Sequence, residues 1–148
     1  MDQKAEADWV KSTLARFDGK HVAPLKTLVA ASSGVLLAEL PGSHEVGASW
    51  VLKAKAEAGE IDVRVFGKLA ALSESDAILH VLQMVQLAPE AGLPDLEPFL
   101  NHKKLLVRVW ALDALFRTDP ARAAPLIEEA LKNPSAAMRA RARALRNA

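Results

Sequence analysis

The feature that most limits what this chain can fold into is its punctuation. Gly19, Pro41-Gly42, Gly59, Ser73, the segment from Pro89 to Pro94, Asn101, Asp119-Pro120 and Asn133-Pro134 interrupt the apolar pattern. They leave segments of roughly 8 to 17 residues, the ordinary length range of helices in globular domains. Between the breaks no run alternates apolar and polar residues as a half-buried strand does. Ala and Leu abound, Tyr is absent and aromatic residues make up only 5%, a balance that favours helices over sheet. The chain therefore reads as all-α. Its 148 residues, 51% apolar and 25% charged, suit a single domain, 1–148, that buries a core without disulfides or metals.

Several helix boundaries carry a mechanism. Ser73-Glu74-Ser75-Asp76 has capping-box spacing, which predicts Ser73 as the N-cap of a helix over 75–88. Asp119-Pro120 supplies a side-chain acceptor at the N-cap and a pre-set φ at the first helical position, and Asn133-Pro134 is expected to do the same for the last helix. Gly59 follows Lys53 and Lys55 as a C-terminal stop would. In 103–117, Leu105, Val109, Leu112 and Phe116 share one face, widened by Leu106, Trp110 and Leu115. So apolar a helix is expected between neighbours. In 46–58, Gly47, Val51, Ala54 and Ala58 form a face small enough for close approach by another helix.

A pattern recurs along the chain. Pro24-Leu25, Pro98-Phe99 and Pro125-Leu126 place a proline before an apolar residue in short helices, while Val63-Arg64, Val107-Arg108 and Met138-Arg139 open longer ones. Gly67, Ala111 and Ala142 follow three positions after each arginine. The arginines are separated by 44 and 31 residues. This resembles the HEAT-repeat family, whose unit is two antiparallel helices with a proline in the first and an apolar-Arg-x-x-Ala pattern in the second. Residues 120–147 match best and 95–117 next; between Pro24 and Gly59 no apolar-Arg pair occurs, because Val46 precedes Gly47. The resemblance implies an α-α superhelix, a right-handed solenoid of about four to five antiparallel helix pairs. It also implies that Arg108 and Arg139 tie their helix to the preceding turn and to the adjacent repeat, with Asn101 and Asn133 as turn partners.

The usual catalytic patterns are missing. Cysteine is absent, which removes disulfides, thiolate metal sites and thiol nucleophiles. No two glycines lie close enough for a phosphate-cradling loop, and no Gly-x-Ser-x-Gly elbow occurs. His21, His44, His80 and His102 are isolated, without the i, i+4 spacing of a helical metal site. Glu128 and Glu129 are adjacent and point to different faces. No cofactor, metal or catalytic residue is expected, and the chain reads as a non-enzyme. Charges spread over the first twenty residues leave no secretory h-region, and no later stretch is long and apolar enough for a membrane span, so the expectation is a soluble, cytoplasmic protein with no membrane contact.

A net charge of +1 conceals an asymmetry. Residues 1–100 carry 9 basic and 14 acidic side chains, a net of −5; residues 101–148 carry 10 and 4, a net of +6. In the last helix Arg139, Arg143 and Arg146 share a face, with Arg141 on another. His80, Gln83 and Gln86 form a polar strip with little charge. Core packing is expected for Trp110; Trp50 shares its side with Lys53 and Glu57, and Trp9 sits near one end. The candidate interaction surface comprises His80, Gln83, Gln86, Lys104, Arg139, Arg143 and Arg146. The function expected from the resemblance is a non-catalytic scaffold or adaptor that binds a protein partner. The alternative is a nucleic-acid-associated protein in which Lys103, Lys104, Arg108, Arg139 and Arg143 converge on a phosphate backbone.

Overall fold

The computed structural model describes residues 1–148 and contains helices and no strands. Nine α-helices follow in order: α1 Gln3–Leu14, α2 Ala23–Lys26, α3 Ser33–Leu37, α4 Glu45–Glu57, α5 Ser75–Met84, α6 Glu97–Leu100, α7 Leu105–Thr118, α8 Pro120–Ala130 and α9 Ala136–Arg146. Three 3-10 segments, Thr27–Ala30, Val63–Ala71 and Val85–Leu87, extend or separate them. No helix is long and apolar enough to cross a membrane.

The boundaries follow local chemistry, with two corrections. Asp119 caps α8 as expected, its carboxylate accepting from the Arg122 N–H at 3.3 Å, and Gly59, at φ +96°, stops the chain after α4. The cap of α9 is Ser135, whose hydroxyl accepts from the Met138 N–H. Asn133 instead accepts from the Ser135 N–H at 2.8 Å and shapes the turn. Ser73 does not cap α5 either. The N–H groups of Ser73 and Glu74 both point to the carboxylate of Glu45, at 2.9 Å each. Glu45 lies at the start of α4 and is only 1% exposed. The Glu45 carboxylate also draws the Ser73 hydroxyl, at 3.4 Å, away from the helix end, because a charged acceptor makes the stronger hydrogen bond.

Four longer helices set the plan. α4, α5, α7 and α9 begin at Glu45, Ser75, Leu105 and Ala136, so their starts are 30, 30 and 31 residues apart. In space α4 packs on α5, α5 on α7, and α7 on α9. Each is preceded by another helical segment, α3, the 3-10 segment Val63–Ala71, α6 and α8 respectively, of which only α8 is as long as the helix it precedes. Leu36, Phe66, Leu96 and Ile127 recur on the same spacing in or beside those segments, and all are buried. One buried apolar cluster runs from Val10 to Leu145. As its all-round apolar pattern requires, α7 sits among α5, α6, α8 and α9. Gly47 answers to the close approach expected of its face. A Cβ there would meet Leu14 at 3.0 Å and Leu25 at 3.2 Å, so α1 and α2 close over the first of the long helices.

The spacing corrects the equivalence read from Val63-Arg64. That pair lies in a 3-10 segment before α5, and Arg64 is exposed and paired with Asp62 at 2.7 Å. The positions that correspond to Arg108 and Arg139 at the 30- and 31-residue spacing are Ile78 and Ala48, both buried and apolar. The sequence suggested otherwise because the apolar-Arg-x-x-small pattern is short enough to recur outside its structural context.

Candidate interaction surface

The uniform spacing aligns one stripe on each long helix. Val46, Trp50, Lys53 and Glu57 on α4 correspond to Asp76, His80, Gln83 and Leu87 on α5 and its terminal turn. These correspond in turn to Leu106, Trp110, Asp113 and Arg117 on α7, and to Ala137, Arg141 and Ala144 on α9. Within each helix these positions follow i, i+4, i+7 and i+11, one face of a 3.6-residue period. The opposite faces, Ala48, Val51 and Leu52, then Ile78, Val81 and Leu82, then Val107, Ala111 and Leu112, are buried. The stripe is not. Trp50, His80, Trp110 and Arg141 form a half-buried row across the four helices, and Leu106 and Leu87, 55% and 43% exposed, flank it.

One pair of the row, Trp110 and Arg141, is in direct contact, and His80 bonds the residue next to Trp50. The Arg141 guanidinium lies 4.5 Å from the Trp110 ring centroid, a cation–π arrangement. Ser49, beside Trp50, places its Oγ 2.8 Å from His80 Nδ1 and donates to the Val46 carbonyl at 3.0 Å. With the hydroxyl proton so directed, the neutral ring donates its Nδ1–H to Ser49. Burial, then the nearby Lys53 charge, lowers the His80 pKa to about 4, which keeps the ring neutral at pH 7. The Ser49–His80 pair is thus no nucleophile and base: the hydroxyl is buried and the imidazole is its donor.

Asp113 is the functional group that sequence reasoning missed. Only 2% exposed, it accepts from Arg117 Nε at 2.6 Å and from Arg141 Nη1 at 3.1 Å. The available signal was an aspartate inside a largely apolar helix with an arginine four residues on, a spacing suited to a helical ion pair. The arm from α9 has no local signal.

The other expected residues divide. His80 and Gln83 lie on the stripe; Gln86 falls in the terminal 3-10 turn, where the stripe position is Leu87. Arg139 donates from Nη1 to the carbonyls of Asn133 and Pro134 at 2.8 and 2.9 Å. Arg108 repeats this with His102 and Lys103 at 2.6 and 3.1 Å. Both arginines tie their helix to the preceding turn, as expected. Asn133 contributes its carbonyl, whereas Asn101 bonds Glu97 instead. Arg146 approaches Glu128 at 3.8 Å, and Lys104 and Arg143 are exposed. Lys103, Lys104, Arg108 and Arg139 thus belong to the turns rather than to the row.

Two further features are already satisfied within the chain. The Lys55 ammonium is buried, but it donates to the carbonyls of Val29 and Ala31 and to Glu60, which occupies its three protons. A groove of about 400 Å³ lies between α6 and α8 over Leu100, Leu112, Leu126 and Met138; its Arg122 is already paired with Glu97 at 2.9 Å. No group of three His, Asp or Glu side chains is placed to hold a metal ion. No protein-family model, curated protein or solved structure matches the chain.

Proposed function

We propose that this chain is a HEAT-like helical-repeat module, stacked as a right-handed solenoid, that acts as a non-catalytic scaffold or adaptor. The face built from α4, α5, α7 and α9 holds a segment of a protein partner. Two observations support the repeat reading: the 30, 30 and 31-residue spacing of the long helices, and the identical bonds of Arg108 and Arg139 to the carbonyls five and six residues before them. The observation that carries the functional reading is the row Trp50, His80, Trp110 and Arg141. A shared position on successive helices presents large, half-exposed side chains instead of the short polar residues of a solvated surface. Trp and Arg are the side chains most often responsible for binding energy at interfaces.

The test is affinity capture with wild-type protein, a face variant (Trp50→Ser with Leu106→Asp) and a control variant at Arg143. Reproducible partners lost by the face variant and kept by the control support the reading. Partners lost only with Arg143, or none under any condition, overturn it. Nucleic-acid association has its own signature: duplex or single-stranded DNA would bind with steep salt dependence, and Arg139→Ala with Arg143→Ala would flatten the slope.

A further inference from the structure

The face is not uniform. Its α4 and α5 portion offers no free cation: Lys53 lies 3.7 Å from Glu57, His80 is half-buried against Ser49, and Asp76 is an exposed carboxylate. Its α7 and α9 portion contains two arginines that share one carboxylate. Asp113 is out of reach of any partner, with 3% side-chain exposure, while Arg117 and Arg141 remain 35% and 30% exposed. Arg117 uses only Nε, and Arg141 only Nη1, within the chain. The remaining N–H groups of both guanidiniums have no hydrogen-bond partner. A surface ligand therefore meets two cations and no anion.

The pair is also held in place. Asp113 fixes both guanidiniums, and the Trp110 ring supports Arg141 from below at 4.5 Å. An arginine fixed before binding loses less side-chain entropy on binding than a free one. Guanidinium edges recognise a carboxylate by paired, charge-assisted hydrogen bonds. Apolar surface adjoins the pair: Leu106 lies at the other end of the same stripe of α7, and the Trp110, His80 and Trp50 row leads away across α5 and α4.

Resting on the proposed function of this face, we infer that Arg117 and Arg141 form the anchor for a side-chain carboxylate of an acidic peptide segment. The segment's apolar side chains lie on Leu106, Trp110 and Trp50. Charge complementarity selects this occupant over a polyanion. A nucleic-acid strand continuing from the arginines toward α5 and α4 would meet Asp76 and Glu57 on a part of the chain with a net charge of −5 across residues 1–100. A peptide places one carboxylate at the arginines and neutral groups elsewhere.

The experiment is a fluorescence anisotropy titration of the full chain with short peptides that pair leucine or phenylalanine with glutamate. Isosteric glutamine peptides and a single-stranded oligonucleotide serve as counterparts. Glutamate peptides are expected to bind about tenfold more tightly than glutamine ones, a preference that shrinks with salt. Arg117→Gln and Arg141→Gln should each bring the ratio of glutamate-peptide to glutamine-peptide affinity close to one, both peptides being compared within the same variant. The Nε–H signals of both arginines in ¹⁵N spectra should move with the glutamate peptides. If peptides bind without a glutamate preference and Trp50→Ala abolishes binding, the anchor is wrong and the functional reading stands. If no peptide binds, both fail. Oligonucleotide binding that is lost in the arginine variants would replace the carboxylate with phosphate and overturn the inference.

Discussion

The turn before α5 and the turns before α7 and α9 meet the same requirement with opposite charges. Before α5, the backbone turns N–H groups inward, and Glu45 from the preceding long helix accepts two of them at 2.9 Å. Before α7 and α9, the backbone turns carbonyls inward, and Arg108 and Arg139 donate to two carbonyls each from within their own helix. The first arrangement connects one long helix to the turn of the next. The second closes a turn onto itself. The N-terminal half is thus joined by a buried anion that reaches between segments, and the C-terminal half by half-buried cations that act locally. A motif search tuned to the arginine finds the second half and passes over the first, although both halves keep the same helix spacing.

The sharpest break of this comparison is the removal of each tether. Glu45→Ala leaves the Ser73 and Glu74 N–H groups without a protein acceptor, and the expected loss is about 2 kcal/mol, because two charge-assisted hydrogen bonds to a buried carboxylate are lost together. Arg139→Ala opens bonds that water can replace, and should cost about 1 kcal/mol. Urea unfolding of both variants gives the two values directly. Equal losses would contradict the contrast between burial and partial exposure.

Acid should separate the halves next. His80 belongs to the N-terminal half, and its pKa falls from 6.5 in the unfolded chain to about 4 in the fold. The unfolded state then binds the extra proton below pH 6.5, so the contribution of His80 is complete above that pH. It declines as pH falls toward 4, by about 2 kcal/mol for a group this buried. Arginines do not titrate in this range, so the turns before α7 and α9 keep their tethers. Hydrogen-exchange protection factors, which correct for the slower intrinsic exchange in acid, should fall more in 45–87 than in 105–146 between pH 7 and pH 4.5. His80→Gln should remove most of that difference; an unchanged profile in the variant would assign the acid lability elsewhere.

The smallest contrast lies in the caps. Ser135→Ala deletes a side-chain N-cap and should cost about 1 kcal/mol. Ser73→Ala removes only a 3.4 Å hydroxyl contact with Glu45 and should cost under about 0.5 kcal/mol. Thermal unfolding of the two variants places them in order, and a larger effect at Ser73 would restore it as the cap of α5.

Much of the helical framework was legible because it depends on near neighbours. Asp119-Pro120 and Gly59 mark boundaries that local hydrogen bonds and φ values dictate, and the all-round apolar pattern of 105–116 placed α7 among other helices. Arg108 and Arg139 were legible for the same reason, since their partners lie five and six residues away. Misreadings arose where a distant group entered. Ser73 looked like a cap until Glu45 arrived from 28 residues earlier. Asp113 looked like one polar residue of an apolar helix until Arg141 reached it from α9. Val63-Arg64 carried the motif without the helix that gives the motif its geometry.

By itself the sequence determined the helical class, most helix boundaries and the concentration of basic residues after residue 100. Those properties follow from propensity, capping and composition, which act over a few residues. Only the tertiary structure decided which basic side chains remain available. Packing pairs Arg122 with Glu97 from 25 residues away. It brings Arg117 and Arg141 onto one buried carboxylate beside Trp110. Charge adds along a chain without regard to position, but a hydrogen bond requires two groups within about 3 Å, and that condition is met or refused only when the helices have packed.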